Sequence, residues 1–293
     1  MSSQVNGLRR FLGERTPAPW RPGADPLVVI GSGKGGSGGS TLTALLGLAC
    51  AAGGHRTLLV DTDEQVGTLH RLFGVASTHG IGAISRNEVS IADALVAIDR
   101  SLTLLPGGHG EHASPPELSA HERRALLRRC SAIYHEYEIV LIDAGSRLES
   151  VLAAATPGTR RFVAVTGAAP VALASAFALV KAIETRWPGA PVELVVNRHS
   201  EARGREAYHH VNTACERFLA RGLSLAGILP DDGELAAASL AGQPLNDAVA
   251  GHHTSRHTSD AIHAIAERLL SGLEEWSPRV VRSPDALTET LHA

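Results

Sequence analysis

Cysteine is scarce in this 293-residue chain: Cys50, Cys130 and Cys215 are odd in number and far apart. That spacing argues against a disulfide framework and points to a reducing compartment. Long apolar runs are missing too. No stretch approaches the roughly 20 uninterrupted apolar residues that a membrane span needs. The N-terminus lacks an apolar segment of secretory type, so the expected location is the cytoplasm. An excess of charge is absent: the formal net charge is −3, which gives no global pull toward nucleic acid. What is present is ordinary for a globular protein, with 44% hydrophobic and 19% charged residues.

Histidine is the unusual abundance, with 15 in the chain. The tightest group is His252, His253 and His257, with His209 and His210 elsewhere. His253 and His257 could share a helix face and hold a metal. No cysteine or paired carboxylate completes a ligand set, so a polar, solvated loop is the better reading.

The hydrophobic pattern divides the chain into 1–26, 27–276 and 277–293. Residues 2–13 read as a short amphipathic helix, with Val5, Leu8, Phe11 and Leu12 on one stripe. Pro17, Pro19, Pro22 and Pro26 then impose an extended linker. From residue 27 apolar strands alternate with helical segments. Strands are predicted at 27–31, 57–61, 102–105, 138–142, 161–166, 191–196 and 225–228. Helices are predicted near 41–52, 91–98, 117–135, 149–155, 171–186, 203–220 and 234–241. Such alternation predicts an α/β domain, a mostly parallel twisted sheet with helices on both faces. The tail from about Ser277 carries prolines and little periodicity.

The most informative segment is Gly31-Ser32-Gly33-Lys34-Gly35-Gly36-Ser37-Gly38-Gly39-Ser40-Thr41, between an apolar strand and a helix. A Walker A loop reads G-x-x-x-x-G-K-[ST] in that setting. Gly33, Gly38 and Ser40 hold their places, and Gly39 stands where the lysine belongs. Backbone N–H groups of a glycine-rich turn form a nest for anions, and the following helix adds its positive end. Both survive at Gly39, and Ser40 keeps a hydroxyl for Mg2+. What is lost is a point charge. Losing one partner of a close charge pair costs roughly 2–5 kcal/mol, roughly 30- to 3,000-fold in affinity.

Ligands of such sheets bind beyond the carboxyl ends of the strands. Leu58-Leu59-Val60-Asp61-Thr62-Asp63 and Ile139-Val140-Leu141-Ile142-Asp143 are apolar strands ending in carboxylates. Asp143 has the character of a Walker B aspartate that holds Mg2+, and Asp63 could orient an attacking water. A lone strand-end Asp is more often a turn or cap residue. Three beside a phosphate loop favour the site.

The loop resembles the deviant Walker A motif of MinD/ParA-type ATPases, S-G-K-G-G-V-G-K-[ST]-[TN]. That resemblance covers about residues 27–245 and implies a P-loop NTPase fold and the cofactors ATP and Mg2+. The implied nucleotide contacts are Gly33, Lys34, Gly35, Gly36, Ser37, Gly38, Gly39, Ser40 and Thr41. Lys34 matches the signature lysine, which in the family crosses an ATP-dependent dimer to the partner's phosphates. Asp61-Thr62-Asp63 resembles switch I and Asp143-Ala144-Gly145 switch II. The implied metal ligands are Ser40, Asp61 and Asp143, and the implied catalytic residues Lys34 and Asp63. Asn197 and Pro230 resemble the adenine-contacting segment and the loop over the base.

A finer likeness is to the flagellar-number branch of that family, FlhG (FleN). Leu104-Leu105-Pro106-Gly107-Gly108 resembles its L-P-G-G segment, and Asn197-Arg198 followed by Gly204-Arg205-Glu206 its N-x-x-x…G-R/K-E stretch. Ser3-Gln4-Val5-Asn6-Gly7-Leu8-Arg9 resembles its N-terminal D-Q-A-x-x-L-R helix, with Gln4, Leu8 and Arg9 matching. The resemblance implies that this helix acts on an FlhF-like GTPase. Other readings are a nucleotide-independent scaffold and a ParA-like segregation factor. Thr68 departs from the asparagine frequent in switch I. Near 260–276, Ile262, Ile265, Leu269, Leu273 and Trp276 share a face among mostly acidic neighbours. That pattern predicts a helix packed on the domain rather than a basic lipid anchor, with the inner face of the membrane at most a peripheral location. Arg123, Arg124, Arg128 and Arg129 form a basic cluster on a predicted helix and read as a solvated face, so nucleic acid is not the expected partner.

Overall fold

The computed structural model describes residues 26–76, 79–108, 118–156 and 158–271. The helix read at 2–13, with Gln4, Leu8 and Arg9, the end of the segment read near 260–276, with Leu273 and Trp276, and the tail from 277 lie outside them.

Eight strands form one sheet in the order β3-β4-β2-β5-β1-β6-β7-β8. They are β1 (Leu27–Ser32), β2 (Thr57–Asp61), β3 (Val96–Ala97), β4 (Leu102–Leu105), β5 (Ile139–Asp143), β6 (Arg161–Thr166), β7 (Val192–Asn197) and β8 (Ser224–Leu229). All pairings are parallel except β3 with β4. The central strands β1, β2 and β5 are buried along their whole length. A strand covered on both faces must be apolar throughout, and their Val/Ile/Leu runs meet that demand. Two apolar clusters fill the faces. One gathers Leu27, Val29, Val60 and Val140 with Leu179 and Ile183. The other gathers Val28, Ile30 and Leu141 with Leu46, Ile265 and Leu269.

Six helices matter for the site. The helix α1 (Gly39–Ala52) follows the glycine-rich loop. The short α2 (Leu69–Leu72) follows β2, and α3 (Ile81–Ser85) and α4 (Ile91–Ala94) lead to β3. The helix α5 (Ala120–Cys130) precedes β5, and α6 (Leu148–Ala154) follows it. Ser119 starts α5 with a reciprocal capping box to Glu122. The remaining helices are α7 (Pro170–Arg186), α8 (Glu201–Leu219), α9 (Gly233–Leu240), α10 (Leu245–Ala250) and α11 (Arg256–Leu270).

The structure corrects the sequence reading in three places. Residues 91–98 are not one helix. The α4 turn stops where Leu95 turns extended (ψ 137°), and Val96 pairs with Leu104 to make the antiparallel edge. The segment read as a helix over 117–135 is α5 followed by a 3-10 turn at Ser131–Glu136. The basic cluster is also smaller than the sequence suggested, because Arg123 is 2% exposed. The C-terminal helix begins at Arg256, capped by Ser255, whose Oγ accepts from Thr258 N at 3.2 Å. Ile262, Ile265 and Leu269 are buried and α11 packs on α1 and β8, as the acidic composition predicted. Among the described residues no helix is long and apolar enough to cross a membrane.

Candidate nucleotide site

The carboxyl ends of β1, β2 and β5 meet at one point. The parallel register sets Asp61 beside Asp143 and Asp143 beside Ile30. Crossing bonds lock the three ends: Thr62 Oγ1 donates to Asp143 O at 2.9 Å, Ala144 N to Ile30 O at 2.9 Å and Ser32 N to Gly145 O at 2.9 Å. A cavity of about 450 Å³ opens over this junction. Its wall includes Gly35, Gly38, Gly39, Ser40, Asp63 and Asp143.

The loop's glycines have geometric reasons. Gly38 sits at φ 84°, the left-handed region, and a Cβ there would lie 2.2 Å from Asn197 Nδ2. A Cβ on Gly33 would lie 2.3 Å from the Ser175 backbone in α7. Gly39 is different: a Cβ there meets nothing nearer than Ser32 Oγ at 3.6 Å. No side chain caps the N-terminus of α1. Its first-turn amides and positive dipole end therefore serve the cavity wall, which is the arrangement that anions occupy.

The carboxylates divide the work. Asp61 is 1% exposed. Its Oδ1 accepts from Asp63 N at 3.0 Å, and its Oδ2 accepts from Thr68 N at 2.6 Å and Leu69 N at 2.9 Å. It thus shapes the turn after β2 and starts α2. Asp63 Oδ1 accepts from Gln65 N at 3.0 Å and Val66 N at 3.2 Å, and the residue lines the cavity. Asp143 Oδ1 accepts from Gly145 N at 3.1 Å, and Ser40 lines the cavity with it and favours its charged form. A hydroxyl at the start of α1 on the same wall as a strand-end carboxylate is a hard-oxygen donor set suited to Mg2+.

Burial pushes Asp61 up to about 7, and the neighbouring Asp143 charge adds to the rise. Burial raises Asp143 as well. A raised carboxylate pKa means the folded chain binds protons that the unfolded chain releases. Stability from this pair is full below the ordinary carboxylate range of about 4 and is lost as pH rises through about 7. Metal-free Asp143→Asn should therefore melt higher than metal-free wild type at about pH 7.5, and the gap should close near pH 5. Thermal melts in chelator at both pH values check this. Equal curves at both would contradict it.

The other expected residues fall as follows. Asn197, at the end of β7, donates from Nδ2 to Ser37 O at 2.9 Å and so braces the loop. Pro230 follows β8 and does not line the cavity, but the next residue, Asp231, pairs with Arg198 at 3.6 Å, and Arg198 does line it. Lys34 is exposed and is not part of the cavity wall. The Leu105-Pro106-Gly107-Gly108 turn lies against the Asp61–Asp63 turn. Gly108 N donates to Asp63 O at 2.6 Å, and a Cβ on Gly107 would lie 2.3 Å from that same carbonyl.

Sequence reasoning missed three contributors: Arg147 and Arg198 on the cavity wall, and a buried ion pair behind Asp63. In that pair Glu64, 2% exposed, meets Arg123 of α5, whose Nε donates to Glu64 Oε2 at 3.2 Å. The only available signal was a second acid directly after Asp63. Among the described residues no group of histidines, cysteines and acids could hold a metal by itself, which leaves the His252–His257 reading without a ligand set. A second cavity of about 380 Å³ between α1 and α11 has Leu45, Leu48 and Ile262 on its wall and no carboxylate. It lacks the chemistry of a metal–phosphate site.

The model of the CobQ/CobB/MinD/ParA nucleotide-binding domain matches residues 28–245. The antiactivator FleN of Pseudomonas aeruginosa is 22% identical over 207 residues, 70% of this chain and 74% of that protein. The septum site-determining protein MinD of Bacillus subtilis is 27% identical over 256 residues, 83% of this chain and 88% of that protein. The Pyrococcus horikoshii MinD structure, complexed with Mg-ADP, superposes with a TM-score of 0.65 at 20% identity, covering 85% of this chain and 97% of that one. The extent of the family match, across every element that builds the cavity, places this chain in the CobQ/CobB/MinD/ParA nucleotide-binding family.

Proposed function

We propose that the protein is an ATP–Mg2+-binding switch of the FlhG/FleN kind that controls flagellar number or placement. The observation that carries the nucleotide reading is the cavity itself: an uncapped helix N-terminus, a left-handed glycine turn and the Ser40–Asp143 pair converge on it. Ser40 and Asp143 would hold Mg2+, which when bound neutralises phosphate charge. Backbone amides of the loop and of α1 would hold the phosphate oxygens. Asp63, its backbone pinned by Gly108, would orient a water for slow hydrolysis. The exposed Lys34 points this reading toward an ATP-dependent homodimer, in which it would reach the partner's phosphates. The flagellar branch draws support from the Leu105-Pro106-Gly107-Gly108 turn and from the likeness to FleN. It also draws on Gln4, Leu8 and Arg9, which in this reading contact an FlhF-like GTPase.

Gly39 favours a second reading, a scaffold that acts without nucleotide. Light scattering combined with partner turnover separates the two. With ATP–Mg2+ the wild-type chain should reach dimer mass and accelerate GTP turnover by the FlhF-like GTPase. Lys34→Ala should lose the dimer, and Gln4→Ala should lose the acceleration. A monomer at every ATP concentration, with partner turnover still stimulated, would leave the scaffold. A dimer unaffected by Lys34→Ala would remove Lys34 from the trans role.

A further inference from the structure

The loop has no lysine where α1 begins, yet the cavity wall that carries Asp61, Asp63 and Asp143 also carries two arginines, Arg147 and Arg198. Three carboxylates around a polyphosphate site repel the ligand, so a cation on the chain would add to what Mg2+ and the backbone amides supply. Lys34 is not part of that wall, whereas both arginines are, and all three side chains are exposed. Arg198 is matched by Asp231 at 3.6 Å and stands beside Asn197 at the end of β7. Arg147 stands elsewhere, directly before α6, four residues past the Mg2+-type carboxylate of Asp143.

The segment that carries Arg147 is held against the phosphate loop. Ser32 N donates to Gly145 O at 2.9 Å, Asp143 Oδ1 accepts from Gly145 N at 3.1 Å, and a Cβ on Gly35 would lie 3.6 Å from Ser146 Oγ. The Arg147 carbonyl accepts from Ser150 N at 3.0 Å and Val151 N at 3.2 Å, which fixes its backbone as the start of α6. A guanidinium on that fixed stem matches phosphate with a planar fork of donors, which a lysine lacks.

We propose that Arg147 supplies, from within the same chain, the positive charge on the terminal phosphates that a lysine at position 39 would otherwise supply. This inference rests on the nucleotide reading above. It makes Arg147 a binding residue for the β- and γ-phosphates and Gly39 a tolerated loss.

The test is calorimetry of ATP–Mg2+ and ADP–Mg2+ with the full chain, with circular dichroism to verify folding. Arg147→Ala should weaken ATP about 10- to 100-fold, as loss of a charge-assisted bond does, and ADP by less. Arg147→Lys should recover part of the loss. In a Gly39→Lys background Arg147→Ala should have an effect of about 3-fold or less, because the restored lysine supplies the charge. Equal ATP affinity of wild type and Arg147→Ala overturns this inference and leaves the nucleotide reading standing. So does an undiminished loss in the Gly39→Lys background, which marks a purely structural role. A wild-type chain that binds no ATP overturns both.

Discussion

Arg123→Ala is expected to lower stability by about 3–5 kcal/mol, because it strands a buried carboxylate. Arg123 and Glu64 are each 2% exposed and are ion-paired across 59 residues of sequence. Glu64 also accepts from Leu118 N at 3.3 Å, so its lone pairs are committed to α5 and the residues before it. For a domain of this size each kcal/mol moves the melting temperature by about 2–4 °C. A drop of about 6–20 °C follows. Replacing both partners, Arg123→Met with Glu64→Met, should be milder than Arg123→Ala alone, since no charge is then left unpaired. Thermal melts of the three proteins decide it. A single variant within about 2 °C of wild type would show that the pair is not a buried constraint. Because Glu64 follows Asp63 directly, loss of the pair should also loosen the turn that carries Asp61 and Asp63.

The second large effect is a gain. Gly39→Lys should tighten ATP–Mg2+ binding by roughly 30- to 3,000-fold, toward the lower end while Arg147 is present. The backbone permits the change. Gly39 is the first residue of α1, it is not left-handed, and its added Cβ would lie 3.6 Å from Ser32 Oγ, an ordinary contact. By contrast, any side chain at Gly38 meets Asn197 in a left-handed turn. Calorimetry with phosphate release on the same sample checks the gain. Tighter binding with turnover would mean that Ser40, Asp63 and Asp143 remain competent. Affinity unchanged from wild type would mean that a lysine at position 39 adds nothing to the charge that the cavity already holds.

Much of the site was legible because its parts are local. Apolar runs ending in Asp61 and Asp143 identify buried parallel strands, and a strand, a glycine turn and a helix in sequence identify the anion cradle. The alternation gave the sheet and both helical layers. Non-local features were not legible. Nothing in the 91–98 pattern says that Val96 will leave the helix to pair with Leu104. Arg123 reads as one of four surface arginines until its partner, 59 residues away, is seen. Asp61 reads as a ligand, and the three amides that it accepts become visible only when the chain after it folds back. Arg147 has no motif. Only the packing of the 143–147 segment on the loop brings it to the cavity.

The central claim is that this cavity binds a Mg2+–nucleotide despite Gly39. Calorimetric titration of the wild-type chain with ATP, with and without Mg2+, tests it most directly. The account predicts saturable, Mg2+-dependent binding within the millimolar range of ATP, lost in Asp143→Ala. No binding at millimolar ATP with Mg2+ present would contradict it.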